Sequence, residues 1–213
     1  MKKFLKLAFV VIVTMIIIFS VSLLKKVIII NELNKLAEET SEDYKNEFSM
    51  EIINSSFEFG DFLTIESIVK GDNAIVIEKI SSKETGEQII NTNYYIDNEK
   101  INTIERNESK IYTISELDSE QENFPNLKIY KGNLKDLSSI DIKESRLEYI
   151  DVYIISDKEK VCWVNAKNGL ILKEIDLLNN ITHEYKYKLG NIKEEIVIPD
   201  LTDYERLYLL KEY

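Results

Sequence analysis

Cysteine occurs once, histidine once, proline twice and glycine six times in 213 residues. A lone Cys excludes an intrachain disulfide framework and a Cys-based zinc site, and a lone His excludes most His-rich metal sites. The glycines never cluster into a phosphate-cradling loop. Positive charge is also scarce. Five of the 27 Lys and Arg fall in the first 30 residues, with no acid among them, so residues 31–213 carry 22 basic and 38 acidic groups, a formal charge of −16. So acidic a surface offers little to a phosphate backbone, and nucleic acid is not an expected partner.

What the sequence does have is one long apolar run. Lys2, Lys3 and Lys6 precede Leu7 to Leu24, a stretch with no charge that is broken only by Thr14, Ser20 and Ser22. Eighteen apolar residues make a helix of about 27 Å, enough to cross a bilayer core. Its Leu, Ile, Phe and Val residues favour insertion by a sum on the order of −4 to −8 kcal/mol. Leu7 and Leu24 are therefore the expected ends of a membrane segment, and residues 1–30 read as an anchor. A cleavable signal is the rival reading, with Ser20 and Ser22 as the small residues before a cut. Three lysines before the run and two after it, Lys25 and Lys26, favour a cytoplasmic N-terminus and an extracytoplasmic remainder. If cleaved, the chain is secreted. With no Cys before Cys162, a lipidated N-terminal Cys is excluded.

Residues 31–50 read as a helical stalk or first helix. Leu33, Leu36 and Ala37 lie on one side, Tyr44 and Phe48 continue at helical spacing, and Asn31 stands as N-cap. From residue 51 the period changes to alternation. The expected strands are Phe62–Val69, Asn73–Ile80, Gln88–Ile96, Lys100–Glu105, Ile111–Ile114, Arg146–Ser156, Lys160–Asn165, Leu170–Leu177 and Thr182–Leu189. Turn signals such as Lys70-Gly71-Asp72 and Asn168-Gly169 separate them. The segment 115–145 reads as a loop with one short helix, Leu134 to Ser139. After Pro199, a short helix capped by Asp200 or Thr202 is expected. Nine short strands joined by short turns predict an α+β chain: a single curved antiparallel sheet, a few helices, and the N-terminal membrane helix.

Few residues offer chemistry. His183 is the one general base of the usual kind, and alternation puts it on a strand face with Tyr185 and Tyr187, opposite Thr182, Glu184 and Lys186. Cys162 lies in Lys160-Val-Cys-Trp-Val-Asn165, a strand pattern that reads as a buried structural thiol. Acid pairs such as Glu38-Glu39 and Glu194-Glu195 are inevitable among 38 acids, and Asp141, Asp151 and Asp157 do not match a calcium loop. No catalytic residue, cofactor-binding residue, cofactor or metal ligand is assigned, and the chain reads as a non-enzyme. The aromatics Tyr94, Tyr95, Tyr149, Tyr153, Trp163, Tyr185 and Tyr187 all fall in expected strands. They suit sheet packing, or one apolar concave face that holds a lipid or a partner's segment.

The order of these pieces resembles LolA-like domains. Asn93-Tyr-Tyr-Ile-Asp-Asn-Glu-Lys-Ile101 is similar to that family's first tyrosine hairpin. Lys160-Val-Cys-Trp-Val-Asn-Ala-Lys-Asn-Gly-Leu-Ile-Leu-Lys173 is similar to its Trp-Val-Asp-x-x-Thr-Gly-Leu-Pro-Leu hairpin, with Asn165, Asn168 and Ile171 in place of Asp, Thr and Pro. Val197-Ile-Pro-Asp200 is similar to its closing exit. The resemblance covers about residues 45–205. It implies an open half-barrel over residues 51–213 with helices on its concave side. A Lys-, Ile- and Asn-rich composition suits an AT-rich, clostridial-type genome, and within the family the chain resembles the GerS and GerS-related spore-germination proteins. That likeness implies a non-catalytic extracytoplasmic protein of sporulation or germination. It would act by binding a partner, the cortex amidase CwlD, an N-acetylmuramoyl-L-alanine amidase, in spore-cortex modification. The alternative is a LolA-like lipid or lipoprotein carrier, or an envelope sensor, with an apolar ligand. The resemblance assigns no interface residue, and a homodimer is compatible with the sequence.

Overall fold

A computed structural model describes residues 2–55, 61–82, 85, 88–96, 101–106, 111–116, 124–197 and 200–206. Among the described residues one α-helix, α1 (Lys2–Tyr44), precedes twelve strands. These are β1 (Glu47–Asn54), β2 (Asp61–Lys70), β3 (Asn73–Ser82), β4 (Gln88–Ile96), β5 (Ile101–Arg106) and β6 (Ile111–Glu116). After a 3-10 turn at Leu134–Asp136 come β7 (Asp141–Leu147), β8 (Ile150–Ser156), β9 (Lys160–Asn165), β10 (Ile171–Asp176), β11 (Ile181–Leu189) and β12 (Glu205–Arg206). All belong to one curved, unclosed sheet in the order β12-β6-β5-β4-β3-β2-β1-β11-β10-β9-β8-β7. Every pairing is antiparallel except β12 on β6. The expected fold class, a single curved antiparallel sheet behind a long apolar helix, is the one the structure has.

The two halves of the sheet meet where β1 pairs with β11, over the register Phe48 to Leu189 through Asn54 to His183. Alternation then sorts the faces. Phe48, Met50 and Ile52 stand opposite Leu189, Tyr187 and Tyr185 on one side, and opposite Val69, Ser67 and Ile65 on the other. This is the inner face, where Phe48, Met50, Val69, Ala74 and Ile96 are buried with Leu127 and Leu170. The intervening residues face out and carry ion pairs: Glu51 with Lys186 at 2.8 Å, Glu66 with Lys79 at 2.8 Å, and Glu184 with Lys173 at 2.7 Å. Such solvent-facing, partly exposed pairs contribute little, about 0–1 kcal/mol each. The inner apolar face is what holds the sheet to the rest of the chain.

Helix α1 fills the inner side of the β7–β11 half. Ile29, Ile30 and Leu33 form one buried cluster with Tyr130, Ile140, Ile155, Cys162 and Val164. Farther along, the helix lies on the β9–β10 turn so closely that a Cβ at Gly169 would stand 2.7 Å from Ala37 Cβ and 2.7 Å from its backbone nitrogen. Gly169 also has φ +68°, a left-handed conformation that favours glycine. Gly132 is clamped from both sides by one side chain. Asn34 Nδ2 donates to Gly132 O at 3.0 Å, and Gly132 N donates to Asn34 Oδ1 at 2.8 Å. The chain between the 3-10 turn and β6 is thereby pinned to the helix.

Several local expectations differ from the structure. The helix expected over residues 31–50 is the tail of α1, which runs through Asn31 without a cap and ends at Tyr44. Residues Glu47–Asn54 form β1. Tyr44 and Phe48 happen to stand four apart, which imitates a helix period across a helix–strand junction. The expected strand Arg146–Ser156 is two strands joined at Glu148 and Tyr149. Glu148 takes φ 55°, so the turn contains no Gly, Pro or Asn to announce it. Tyr149 is consequently 99% exposed rather than packed in a strand. The short helix expected over Leu134 to Ser139 is a 3-10 turn of three residues, Leu134–Asp136, capped by the Asn133 side chain. Asp200 does accept from Thr202 N at 3.0 Å, but a turn and the two-residue β12 follow instead of a helix. The expected turns at 97–98 and 107 lie outside the described residues.

The Gly169 contact yields a paired expectation. G169A forces both a left-handed alanine and an overlap with the helix backbone, and should cost about 2–4 kcal/mol. Gly71 has φ +65°, but a methyl group added there would meet nothing within 4 Å, so G71A should cost only about 1 kcal/mol. Urea unfolding of the full chain in detergent, followed through Trp163 fluorescence, measures both.

Candidate functional site

Strand register decides what the two reactive side chains can do. On the inner face, Cys162 on β9 is opposite Glu174 on β10, and Glu174 is opposite His183 on β11. Cys162 and His183 are therefore two strands apart, about 10 Å at the usual spacing. Glu174 intervenes. The Cys162 thiol donates to Glu174 Oε2 at 3.3 Å, while His183 Nδ1 meets Asn54 Oδ1 on β1. Burial, reinforced by the Glu174 carboxylate, pushes the Cys162 thiol from 9.0 up to about 12. A thiol so held is not a nucleophile at neutral pH. Among the described residues no cluster of three or more His, Cys, Asp or Glu is placed to hold a metal ion.

The aromatic residues divide by face, as alternation implies. Tyr185 and Tyr187 stack along β11 with ring centroids 6.3 Å apart, and His183 lies 6.3 Å from Tyr185. The Tyr187 hydroxyl donates to Ile171 O at 2.8 Å, and burial raises the pKa of both tyrosines. Tyr94 donates to Glu78 Oε2 at 3.0 Å across the inner face of the other half. Trp163 points outward, with Lys173 Nζ 5.8 Å from its ring centre. Tyr95 is buried and Tyr153 half-buried. These side chains therefore do not form one exposed aromatic surface.

A concavity does open on the inner side. A cleft of about 610 Å³ lies between the 129–133 segment, Ser139-Ile140 and the β8–β9 hairpin. Its apolar wall is Ile129, Ile140, Ile155, Cys162 and Ile171, and its rim carries Lys131, Lys158 and Lys160 beside Asp157 and Glu159. Tyr130, pushed up to about 12 by burial with Cys162 and Asp157 nearby, contributes a neutral phenol. The segment is held in place by strand-like bonds, Tyr130 N to Gly169 O and Ile171 N to Lys128 O, both 2.9 Å. Sequence reasoning anticipated an apolar concave face but none of the 129–133 and 157–160 residues. They are distant in sequence and ordinary in type, and only the fold brings them together. A second concavity, about 470 Å³, is lined by Leu147, Ile150, Leu172, Lys173 and Glu184 among others.

No protein-family model matches the chain, and no curated protein does. Solved structures similar in shape include an uncharacterized conserved protein from Thermus thermophilus, at 10% identity and TM-score 0.48, covering 82% of this chain and 97% of that one. LprF from Mycobacterium bovis is similar at 11% identity and TM-score 0.42, covering 80% and 97%. Each is a distant likeness of shape, so function has to come from the chain's own residues.

The raised thiol and phenol carry a pH consequence. In the folded state Cys162 and Tyr130 keep their protons up to about 12, whereas unfolded they release them near 9.0 and 10.0. Above those values the unfolded state binds fewer protons, so stability is full below pH 9 and falls as pH rises toward 12. The slope is at most about 1.4 kcal/mol per pH unit for each group. Urea midpoints between pH 8 and 11 should show the decline, and C162S should remove its lower part. Cys162 should also resist iodoacetamide at pH 8 until the chain unfolds.

Proposed function

We propose that this chain is a membrane-tethered, non-catalytic module that takes an apolar or amphiphilic ligand on the inner side of its half-barrel. The observation that carries the reading is the cleft of about 610 Å³, with its Ile129, Ile140, Ile155 and Ile171 wall and lysine rim. An acyl chain or lipid tail suits such a wall, and an anionic head suits Lys131, Lys158 and Lys160. The LolA-like sequence pattern points to the same ligand class. The tether is α1, which is long and apolar enough to cross a membrane. With Leu7 and Leu24 as ends of the span and the lysine excess before it, the domain lies outside the cell membrane.

A second reading has its own supporting observation. The helix continues without a break from the apolar run into the domain core, where Ile30 and Leu33 are buried. An uncut chain therefore cannot leave the membrane to deliver cargo, which favours a stationary binding partner. The resemblance to GerS-related proteins, which rests on the LolA-like order of elements and the clostridial-type composition, suggests the candidate: the cortex amidase CwlD, in spore-cortex modification.

Two experiments separate the readings. The full chain in detergent, exposed to a photoactivatable anionic fatty acid, should crosslink within residues 129–162. K158E/K160E should weaken capture about 3- to 10-fold, as two rim charges warrant. Crosslinking spread over the outer face would overturn the ligand site. For the partner reading, purified CwlD and the full chain should co-elute as a complex in gel filtration. Separate elution at micromolar concentration would sink it.

A further inference from the structure

Two lysines follow the apolar run directly, and both are held by the domain. Lys25 Nζ pairs with Glu144 Oε1 at 3.0 Å. Lys26 Nζ donates to Ile140 O at 2.6 Å and to Leu137 O at 3.4 Å. Ser22, inside the apolar run, lines a small recess with Asp141, Ile142 and Glu144. No linker separates the run from these contacts, because α1 is continuous. The first domain residues thus sit within about a turn of the helix, some 5 Å, beyond Leu24.

The helix also has a direction across the sheet. Tyr44 lies against Gly190 at the end of β11, Ala37 against Gly169 at the β9–β10 turn, and Ile30 and Leu33 against β8 and β9 residues. Residues 22–26 then reach β7, the last strand of the sheet order. α1 therefore runs obliquely from one corner of the β7–β11 half to the opposite corner, where Leu137–Glu144 lies. A stiff helix that crosses the bilayer must carry that corner with it.

We infer that the segment Leu137–Glu144 rests in the headgroup layer of the outer leaflet, with the free edge of β7 turned to the membrane and the β11 end of the sheet raised away from it. Charge fits this seat. Lys25, Lys26 and Lys143 alternate there with Asp141 and Glu144, a mixed pattern that suits zwitterionic phospholipid heads. The edge suits it too. β7 carries Asp141, Lys143, Glu144 and Arg146, charges that discourage a further strand, and the headgroup layer covers the edge that no described strand pairs with. Ser139 and Ile140 also line the cleft, so its mouth opens beside the bilayer and an amphiphile could reach it without crossing bulk water. The inference rests on the anchor reading of Leu7–Leu24.

The test uses the full chain in phosphatidylcholine vesicles doped with a nickel-chelating lipid, in a C162S background. Nitroxide labels are placed at S138C, on the proposed contact, and at K188C, at the raised end of β11. Both positions are exposed. Vesicle flotation comes first. The expected result is co-flotation, with strong nickel relaxation at position 138 and its loss at position 188. Co-flotation with equal relaxation at the two positions overturns the seating and leaves the anchor intact. Failure to float overturns the anchor and the seating with it.

Discussion

The contact on which the structure depends is the laying of α1 across the inner face of the β7–β11 half. An open sheet of this width exposes a whole apolar face, and a curved one concentrates it. The helix covers that face with Ile29, Ile30, Leu33 and Ala37, at the three- and four-residue spacing one helical stripe provides. Where it passes the β9–β10 turn there is room for a backbone but not a side chain, so Ala37 meets Gly169. Small residues on both partners let the two backbones approach, and this close approach fixes the register of helix on sheet. The Asn34 clamp on Gly132 follows from it, and the clamp in turn sets the cleft wall.

The same helix has two solvents. Over Phe9–Leu24 its apolar residues face outward on every side apart from the half-buried Leu23, with Phe19 and Leu24 each about 60% exposed. Over residues 29–37 apolarity narrows to a stripe. A helix apolar on every side requires a membrane or a thick protein interior, whereas a striped one requires a sheet face. The transition falls at Lys25-Lys26, whose charges are answered by Glu144 and by the carbonyls of Leu137 and Ile140. One continuous helix thus joins an apolar run, long enough for a membrane anchor or a signal sequence, to a core element of the domain.

Much of this was legible in the residues. The apolar run announced itself by length, and the β9–β10 hairpin by alternation and Asn168-Gly169. The faces of β11 followed from period two. What escaped reading did so for identifiable reasons. β1 hides behind the Tyr44–Phe48 spacing, which mimics a helix. The β7–β8 turn uses Glu148 at φ 55°, a left-handed residue without the usual sequence marker. The cleft was illegible because its wall comes from 129–140, 155–162 and 171, which only strand order brings together. Cys162 and His183 are the chain's one thiol and one imidazole. Register parts them, since each strand added between two residues adds about 5 Å.

The tether and the cleft constrain each other. A carrier that releases cargo at a distant site must leave the membrane, and α1 offers it no flexible joint. Cleavage near Ser20-Val21-Ser22 would free it, and would still leave Ile29, Ile30, Leu33 and Ala37 in the core, because the buried stripe begins after that point. The fold is therefore indifferent to the cut, while the mode of action is not. On the proposed reading, an uncut chain would exchange amphiphiles only with a membrane beside the cleft or with a partner that comes to it. Cut, the same cleft becomes mobile. The position of the buried stripe relative to the serines makes one architecture compatible with either proposed role, and whether the chain is cut near Ser20-Val21-Ser22 would decide between them.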